Sequence, residues 1–484
     1  MRGTVSEQMA TIAIELGLVL LAMVVFAVGL VFPHKTSGTA EARITLIGML
    51  GLLALSATGW SPVRPAFGGS YLAGPVAVVF KQLFLLAGVL TALLSWPDPD
   101  RGALIPRNRT GEYLGLMLLS VTGMCFLVSA RELVLLYVGL ELVTVPLILL
   151  VALNRHELRS VEAGMKYVMF SAMSSGLLLY GLSLVYGMTG TTVLSVVAAK
   201  ITRTPLTLLA LVLVMCGVGF KISAAPFHLW TPDTYEGAPA PVAAFLSVAS
   251  KAAGFALFYK VIAEAFGQVQ GAWLGLVAIL AALTMTFGNL AALHQTQMKR
   301  FLAFSSIAQA GYLMIGLTHG GELGLASVLY YLLVYLVSNM AAFGVVILIA
   351  AATGKEDMRE YAGLSETNPA LAAVMMLAMF SLAGIPPLAG FLGKFYLFAA
   401  AAEKGLYWLV FVGAINATVS LYYYLTVVKW MYIAKPTNPA EPLGRIGISW
   451  TGGAVLAVTA AAMALIGILP QVIHWTEIAA AAGF

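Results

Sequence analysis

Long apolar runs separated by short polar connectors fill this chain from end to end. Each run is about 20 residues long, enough to cross a hydrocarbon core as a helix rising about 1.5 Å per residue. Read by hydropathy window, the pattern predicts about 14 spans. They fall at 11–32, 43–60, 71–95, 113–130, 132–152, 163–188, 205–230, 239–262, 272–293, 300–318, 325–352, 370–400, 407–431 and 448–470. No connector is long enough to be a soluble domain. The expected fold is an all-α polytopic membrane protein forming one membrane-embedded unit. The first run is longer than a signal-peptide core and is followed by Pro33, His34 and Lys35 rather than a small-residue cleavage site. It is expected to be a retained span.

Two spans carry breaks. In the seventh, Pro226 follows Lys221 within KISAAPFH, and a short acidic loop separates this break from the eighth span. In the twelfth, SLAGIPPLAGFLGKF places Gly384, Pro386, Pro387 and Gly390 just before Lys394. Proline removes a donor and frees a carbonyl, so such a break persists in a membrane only where protein or a wet cavity satisfies the backbone. Spans 4–8 and 9–13 divide into two blocks of five, and the broken, lysine-bearing helix is the fourth member of each. Five is odd, so the second block enters the membrane from the opposite side. This pattern predicts two inverted five-helix repeats with function at the midplane. The lysines lie on opposite sides of their breaks. The expected segments are 1–112 (three N-terminal helices), 113–262 and 263–432 (the repeats), and 433–484 (a final helix and tail).

Composition agrees: 61% of residues are hydrophobic, 10% are charged, and mean hydropathy is +0.94. The net charge of +5 is spread over short loops, which argues against nucleic-acid binding and for an orientation signal. One side carries Lys35, Arg43, Arg101, Arg107, Arg109, Arg155, Arg159, Lys299, Arg300, Lys355, Arg359, Lys429, Lys435 and Arg445. The other carries about half as many: Arg2, Arg64, Arg131, Lys200, Arg203, Lys260 and Lys404. The positive-inside rule makes the first side cytoplasmic and puts both termini outside. Cys125 and Cys216 fall in spans with no metal or redox spacing, and read as core.

Five lysines remain inside spans: Lys81, Lys166, Lys221, Lys251 and Lys394. A lysine at the bilayer centre costs about 2.5–3.5 kcal/mol on insertion scales, so it marks function by default. Glu141, in YVGLELVTVPLILL, lies near the centre of the fifth span, where pairing with a lysine on a neighbouring helix would keep it ionised. A static ion pair is the plainer alternative. Glu162 and Lys166 share a helix face at i, i+4 and are placed to modulate Glu141. Lys251 is mid-span, where snorkelling is difficult. His228, seven residues after Lys221, is expected two turns along on the same face, as a proton relay or as a structural histidine. Lys81 shows no partner in sequence and reads as packing against another subunit or snorkelling. The tyrosine cluster 422–424 reads as packing material. Phosphate loops, dinucleotide fingerprints, nucleophile constellations and metal-ligand spacings are all missing from the sequence.

The segments LLYVGLELVTVPL, FKISAAPFHLWTPDTYEGAPAPVAAFLSVASK, QTQMKRFLAFSSIAQAGY and FSLAGIPPLAGFLGKF resemble the antiporter-like, proton-pumping membrane subunits of respiratory complex I and their relatives. The resemblance extends from about Arg131 to Phe395. Gly237 in YEGAP, Lys394 where a sister branch carries glutamate, and a short tail after the last span are similar to one branch of that family. The resemblance implies two inverted repeats and a multi-pass protein of a bacterial inner membrane. It implies Glu141 and Lys221 as a coupling ion pair, Lys251 as central relay, and Lys394 as the lysine of the second half-channel. Glu162 and Lys166 would modulate the first pair. No cofactor is implied on this chain; NADH, FMN, iron–sulfur clusters and quinone are implied in partner subunits. Other membrane subunits, including antiporter-like neighbours, are the implied partners. Two alternatives use the same helices and lysines: a Na⁺ or K⁺/H⁺ antiporter subunit, and the membrane arm of a hydrogenase-like or ferredoxin-linked relative. A mere scaffold leaves the midplane cations unexplained, at a combined cost of about 15 kcal/mol.

Overall fold

A computed structural model describes residues 5–31, 38–57, 64–97, 104–435, 444–469 and 471–483. Arg2, Pro33, His34, Lys35 and Arg101 lie outside these residues. Among the described residues, thirteen helices are long and apolar enough to cross a membrane by length and composition. The twelfth span supplies two shorter helices, Pro369–Ala383 and Ala389–Glu403. The helical pattern expected from hydropathy is therefore present, and the antiparallel pair Arg64–Ala66 (β1) and Tyr71–Ala73 (β2) is a small addition to it.

The eighth span, Ala240–Ala265, and the eleventh, Glu322–Thr353, form the interior. Their apolar windows are 100% and 94% buried within the protein, against 22% for the first span, Ala13–Val31. Helices enclosed by other helices can carry polar groups that a lipid-facing helix cannot.

Two glycine-mediated helix pairs occupy matching places in the chain. The fourth span (Thr110–Ser129) lies so close to the fifth (Leu133–Val151) that a Cβ on Gly123 would sit 2.6 Å from the Val143 nitrogen. The ninth (Gln270–Ala292) and tenth (Met298–Leu317) repeat this: a Cβ on Gly288 would meet the Ala308 nitrogen at 2.5 Å. Small residues let membrane helices approach backbone to backbone. These are the first two helices of each five-span block.

Both breaks are real, and both are chemically satisfied. The seventh span stops at Ile222, with Ser223 in the left-handed region (φ 62°). The Trp230 indole N–H donates to the Phe220 carbonyl at 3.0 Å, and the Ala225 N–H donates to Thr284 Oγ1 at 2.9 Å. Tyr167, Phe220 and Trp230 stack at 4.9–6.2 Å and hold the turn in place. The segment after it, Trp230–Gly237, is helical, not the expected loop. Its carboxylates Asp233 and Glu236 are bound to cations of the sixth and tenth spans, which orders the segment. The twelfth span stops at Ala383, with Gly384 at φ 88°. Each break also contains a cis X-Pro bond, Ala225–Pro226 and Pro386–Pro387.

Lys260 is not a loop cation. It is buried in the eighth span, 3.8 Å from Glu264 one turn on. That span extends to Ala265, beyond the hydropathy boundary, because Tyr259–Ala265 winds as a π-helix.

Candidate functional site

The three lysines singled out on chemical grounds are all buried, and all rest on neutral oxygen. Lys221, in the last turn of the first half of the seventh span, donates to Thr144 Oγ1 of the fifth span at 2.5 Å. Lys251 donates to the Ser306 carbonyl at 2.5 Å and to Ser306 Oγ at 2.8 Å. Lys394 donates to the Ala383 carbonyl, freed by the helix break, at 3.0 Å. It also lies 4.4 Å from the Tyr312 ring centroid, a cation–π distance.

Local structure places Lys251 in a way the sequence does not signal. The backbone winds as a π-helix over Leu246–Ser250, returns to an α-helix at Lys251–Phe258, and winds as a π-helix again over Tyr259–Ala265. Such bulges rotate the following side chain off the regular helical face and recur at functional sites. Ser247, inside the first bulge, accepts a 2.5 Å hydrogen bond from Asn339 of the eleventh span.

Glu141 and Lys221 do not close into the expected pair. Among the described residues Glu141 makes no ion pair with Lys221, and its Oε1 is buried without a hydrogen-bond partner. Thr144 lies one turn beyond Glu141 on the same helix and has taken the lysine. Glu141 shares a helix face with Val134, Val138 and Val145, each more than half exposed. Glu141 itself is half-buried, at the edge between that exposed valine face and the buried Thr144.

Lys166 is 2.8 Å from Glu162, as the i, i+4 spacing predicts, but its second partner is Asp233 at 2.8 Å and not Glu141. Arg300 completes the cluster, 2.7 Å from both Asp233 and Glu236. Burial by itself would raise the Asp233 carboxyl; the hydrogen bonds from Lys166 and Arg300 more than reverse this and hold it below its ordinary value. The cluster, with Arg159, lines an open cavity of about 270 Å³ at one end of the sixth span. Gly237 belongs to its frame, since a Cβ there would fall 2.5 Å from the Arg159 carbonyl oxygen. Arg300, counted above as a loop charge, is part of this network.

His228 is not on the Lys221 face, because the helix ends at Ile222 before reaching it. It lies in the turn, half-buried, its ring 6.0 Å from Phe287 and its Nδ1 without a partner. It is close enough to Lys251 to feel that charge.

Lys81 has a partner after all. Its Nζ is 2.8 Å from Glu15 Oε1 and 2.7 Å from the Tyr71 hydroxyl, which itself donates to Glu15 at 2.8 Å. All three are buried, so neither snorkelling nor a contact with another subunit describes this lysine. The pairing was hidden because Glu15 is 66 positions away and lies near its span's end.

The tyrosine cluster also proves to be more than packing. Tyr424 bonds Ser305 at 2.6 Å and Gln309 at 3.0 Å, and Tyr423 donates to Asn289 at 2.7 Å. Only Tyr422 of the three is exposed. The i, i+4, i+7 spacing of Ser305, Gln309 and Tyr312 on one helix face was the available signal.

Residues 130–420 match the family described as NADH:quinone oxidoreductase/Mrp antiporter, transmembrane. A NADH-quinone oxidoreductase subunit N from Desulforamulus reducens is 42% identical, covering 95% of each chain. A NAD(P)H-quinone oxidoreductase subunit 2 from Microcystis aeruginosa is 40% identical over 90% of this chain and 86% of that one. Among solved structures, a chain of respiratory complex I from Thermus thermophilus with bound aureothin superposes with a TM-score of 0.80 at 35% identity, covering 95% of this chain and 97% of that chain. A chain of the Mrp complex from a Dietzia species shares the fold at TM-score 0.82 and 22% identity, over 96% and 97% of the two chains. The chain belongs to the NADH:quinone oxidoreductase/Mrp antiporter family of membrane subunits, in its subunit N branch.

Proposed function

We propose that this chain is a proton-translocating membrane subunit of a NADH:quinone oxidoreductase, with Lys221, Lys251 and Lys394 as its proton carriers. The observation that carries the reading is the contrast between these lysines and Lys81. The three rest on a hydroxyl or carbonyl oxygen, whereas Lys81 is held by a carboxylate. A buried ammonium on a neutral acceptor gives up its proton without stranding a counter-charge. One locked to a carboxylate does not, because the lost attraction opposes deprotonation.

In this reading 113–262 and 263–432 act as the two halves of the pathway, flanked by 1–112 and 433–484. Glu141 is half-buried beside the exposed Val134, Val138 and Val145, and a carboxylate at the edge of hydrocarbon is strongly disfavoured, so a neighbouring subunit covers this face. Movement there draws Lys221 from Thr144 toward Glu141 or releases it. The released proton passes by water and His228 to Lys251, and then to Lys394. Glu162, Lys166 and Asp233 set the charge at one mouth. Electron transfer from NADH through FMN and iron–sulfur clusters to quinone belongs to partner subunits. The location is a bacterial inner membrane with both termini on the outer side.

Membrane vesicles distinguish this from antiport. NADH oxidation by the intact complex drives a proton gradient across the vesicle membrane. An antiporter subunit instead answers a Na⁺ or K⁺ jump with a pH change and no electron donor, and that result would replace this reading.

A further inference from the structure

Between Lys251 and Lys394 the tenth span acts as a shared spine. Its Ser306 holds Lys251, and its Tyr312 lies against Lys394. The two contacts are about six positions apart along the helix, a rise of about 9 Å. Gln309 lies halfway between them and is fully buried. Its amide nitrogen donates to the Leu382 carbonyl and to the Tyr424 hydroxyl, each at 3.0 Å. Its carbonyl oxygen accepts from the Tyr331 hydroxyl. Both amide donors are thus engaged. Tyr424 also shares a 2.6 Å hydrogen bond with the Ser305 hydroxyl, in which either oxygen can be the donor.

This arrangement blocks proton transfer. A hydroxyl or a water relays a proton by accepting one and donating another. A carboxamide presents fixed N–H donors and a fixed carbonyl acceptor. A proton arriving from Tyr331 on the amide oxygen has no low-energy exit through the amide nitrogen. Passage requires Tyr331 or Tyr424 to leave Gln309 and water to take the vacated place.

The partners lie on three different helices: Tyr331 on the eleventh span, Leu382 on the first half of the twelfth, and Tyr424 on the thirteenth, Tyr407–Tyr432. Leu382 immediately precedes Ala383, whose carbonyl holds Lys394. A shift of the twelfth-span break therefore loosens Gln309 and frees Lys394 in one motion.

We propose that Gln309 is a gate between the two halves of the pathway, closed when its amide is tied to Leu382, Tyr331 and Tyr424 and opened by displacement of the broken twelfth span. The proposal rests on the relay reading above.

The test uses the complete complex in membrane vesicles. Gln309→Ala removes the tie and leaves room for water. NADH oxidation persists but loses its restraint by the proton gradient, the proton yield per electron falls by at least half, and an imposed pH gradient decays faster than in wild type. Adding Lys394→Ala to Gln309→Ala abolishes the extra leak. Gln309→Met fills the space without hydrogen bonds, so it lowers pumping without leak. A wild-type yield and leak in Gln309→Ala overturns the gate, as does an extra leak that survives Lys394→Ala. If Gln309→Ala fails to assemble, the shortened amide in Gln309→Asn is measured against the same outcomes. Normal pumping by Lys251→Ala and Lys394→Ala would instead reject the relay. Impaired pumping in those two with a wild-type Gln309→Ala rejects the gate alone.

Discussion

Lys221 Nζ lies 2.5 Å from Thr144 Oγ1, across the interface of the fifth and seventh spans. The threonine hydroxyl spends its own proton on the Leu140 carbonyl at 2.7 Å, so it faces the lysine with a lone pair. Lys221, the first carrier in the proposed pathway, is thus held one turn away from its expected carboxylate. A hydrogen bond to a charged group contributes about 1.5–3 kcal/mol. Thr144→Val therefore slows NADH-driven proton translocation roughly ten- to a hundredfold, since about 1.4 kcal/mol is one decade, while Thr144→Ser stays near wild type. Proton uptake by vesicles at matched complex content checks both.

Glu15 and Lys81 form a buried pair that lies off the proposed pathway. Lys81→Met leaves a buried carboxylate without its cation and costs about 3–5 kcal/mol, whereas replacing both partners with apolar residues is close to neutral. Assembly yield and thermal denaturation of the complex should fall for Lys81→Met and recover in Glu15→Leu/Lys81→Met. Recovery of proton pumping in the double variant would accompany a structural pair. A well-assembled double variant that does not pump would contradict that assignment.

Gly237 leaves no room for a side chain against the Arg159 carbonyl. Gly237→Ala pushes the Trp230–Gly237 helix away from the sixth span and weakens the contact of Lys166 with Asp233. Gly237→Ala and Asp233→Asn should then impair proton translocation in the same way and add little to each other, because both break one network. Rates of the two single variants and of the double variant check this. Fully additive losses would contradict a shared cause.

Asp233 also gives a pH signature. Its carboxyl is held below the ordinary value of 3.8, against the upward pull of burial, by Lys166 and Arg300. A depressed folded-state value stabilises the protein above the unfolded value, and this is lost as pH falls through the folded one. The stability difference between wild type and Asp233→Asn should therefore be constant across the neutral range and close only below about pH 4. Thermal denaturation across pH reads it directly. A difference that closes near neutrality would place the effect on another group.

Hydropathy alone made the spans and both breaks legible, because length, apolarity and proline act locally. The buried positions of Lys221, Lys251 and Lys394 were legible for the same reason: a cation inside an apolar run cannot escape to water. Their partners were not. Thr144, Ser306 and the Ala383 carbonyl are neutral groups that no charge count selects. Pairs such as Glu15 with Lys81, or Lys166 with Asp233, join distant spans and depend on how helices pack. The π-helical turns around Lys251 leave no proline or glycine mark, so they are visible only in the backbone. The helical face expected for His228 failed because the chain turns at Ser223, four residues after the last glycine before the break.

The central claim is that protons cross this chain through its buried lysines, and Lys251 is the step common to both halves. Its ammonium has Ser306 as hydrogen-bond partner and is buried in the fully enclosed eighth span. The most direct measurement is the number of protons translocated per NADH oxidised by assembled complex carrying Lys251→Ala, in sealed vesicles beside wild type. The account predicts a clear drop in that ratio with the complex intact; an unchanged ratio would contradict it.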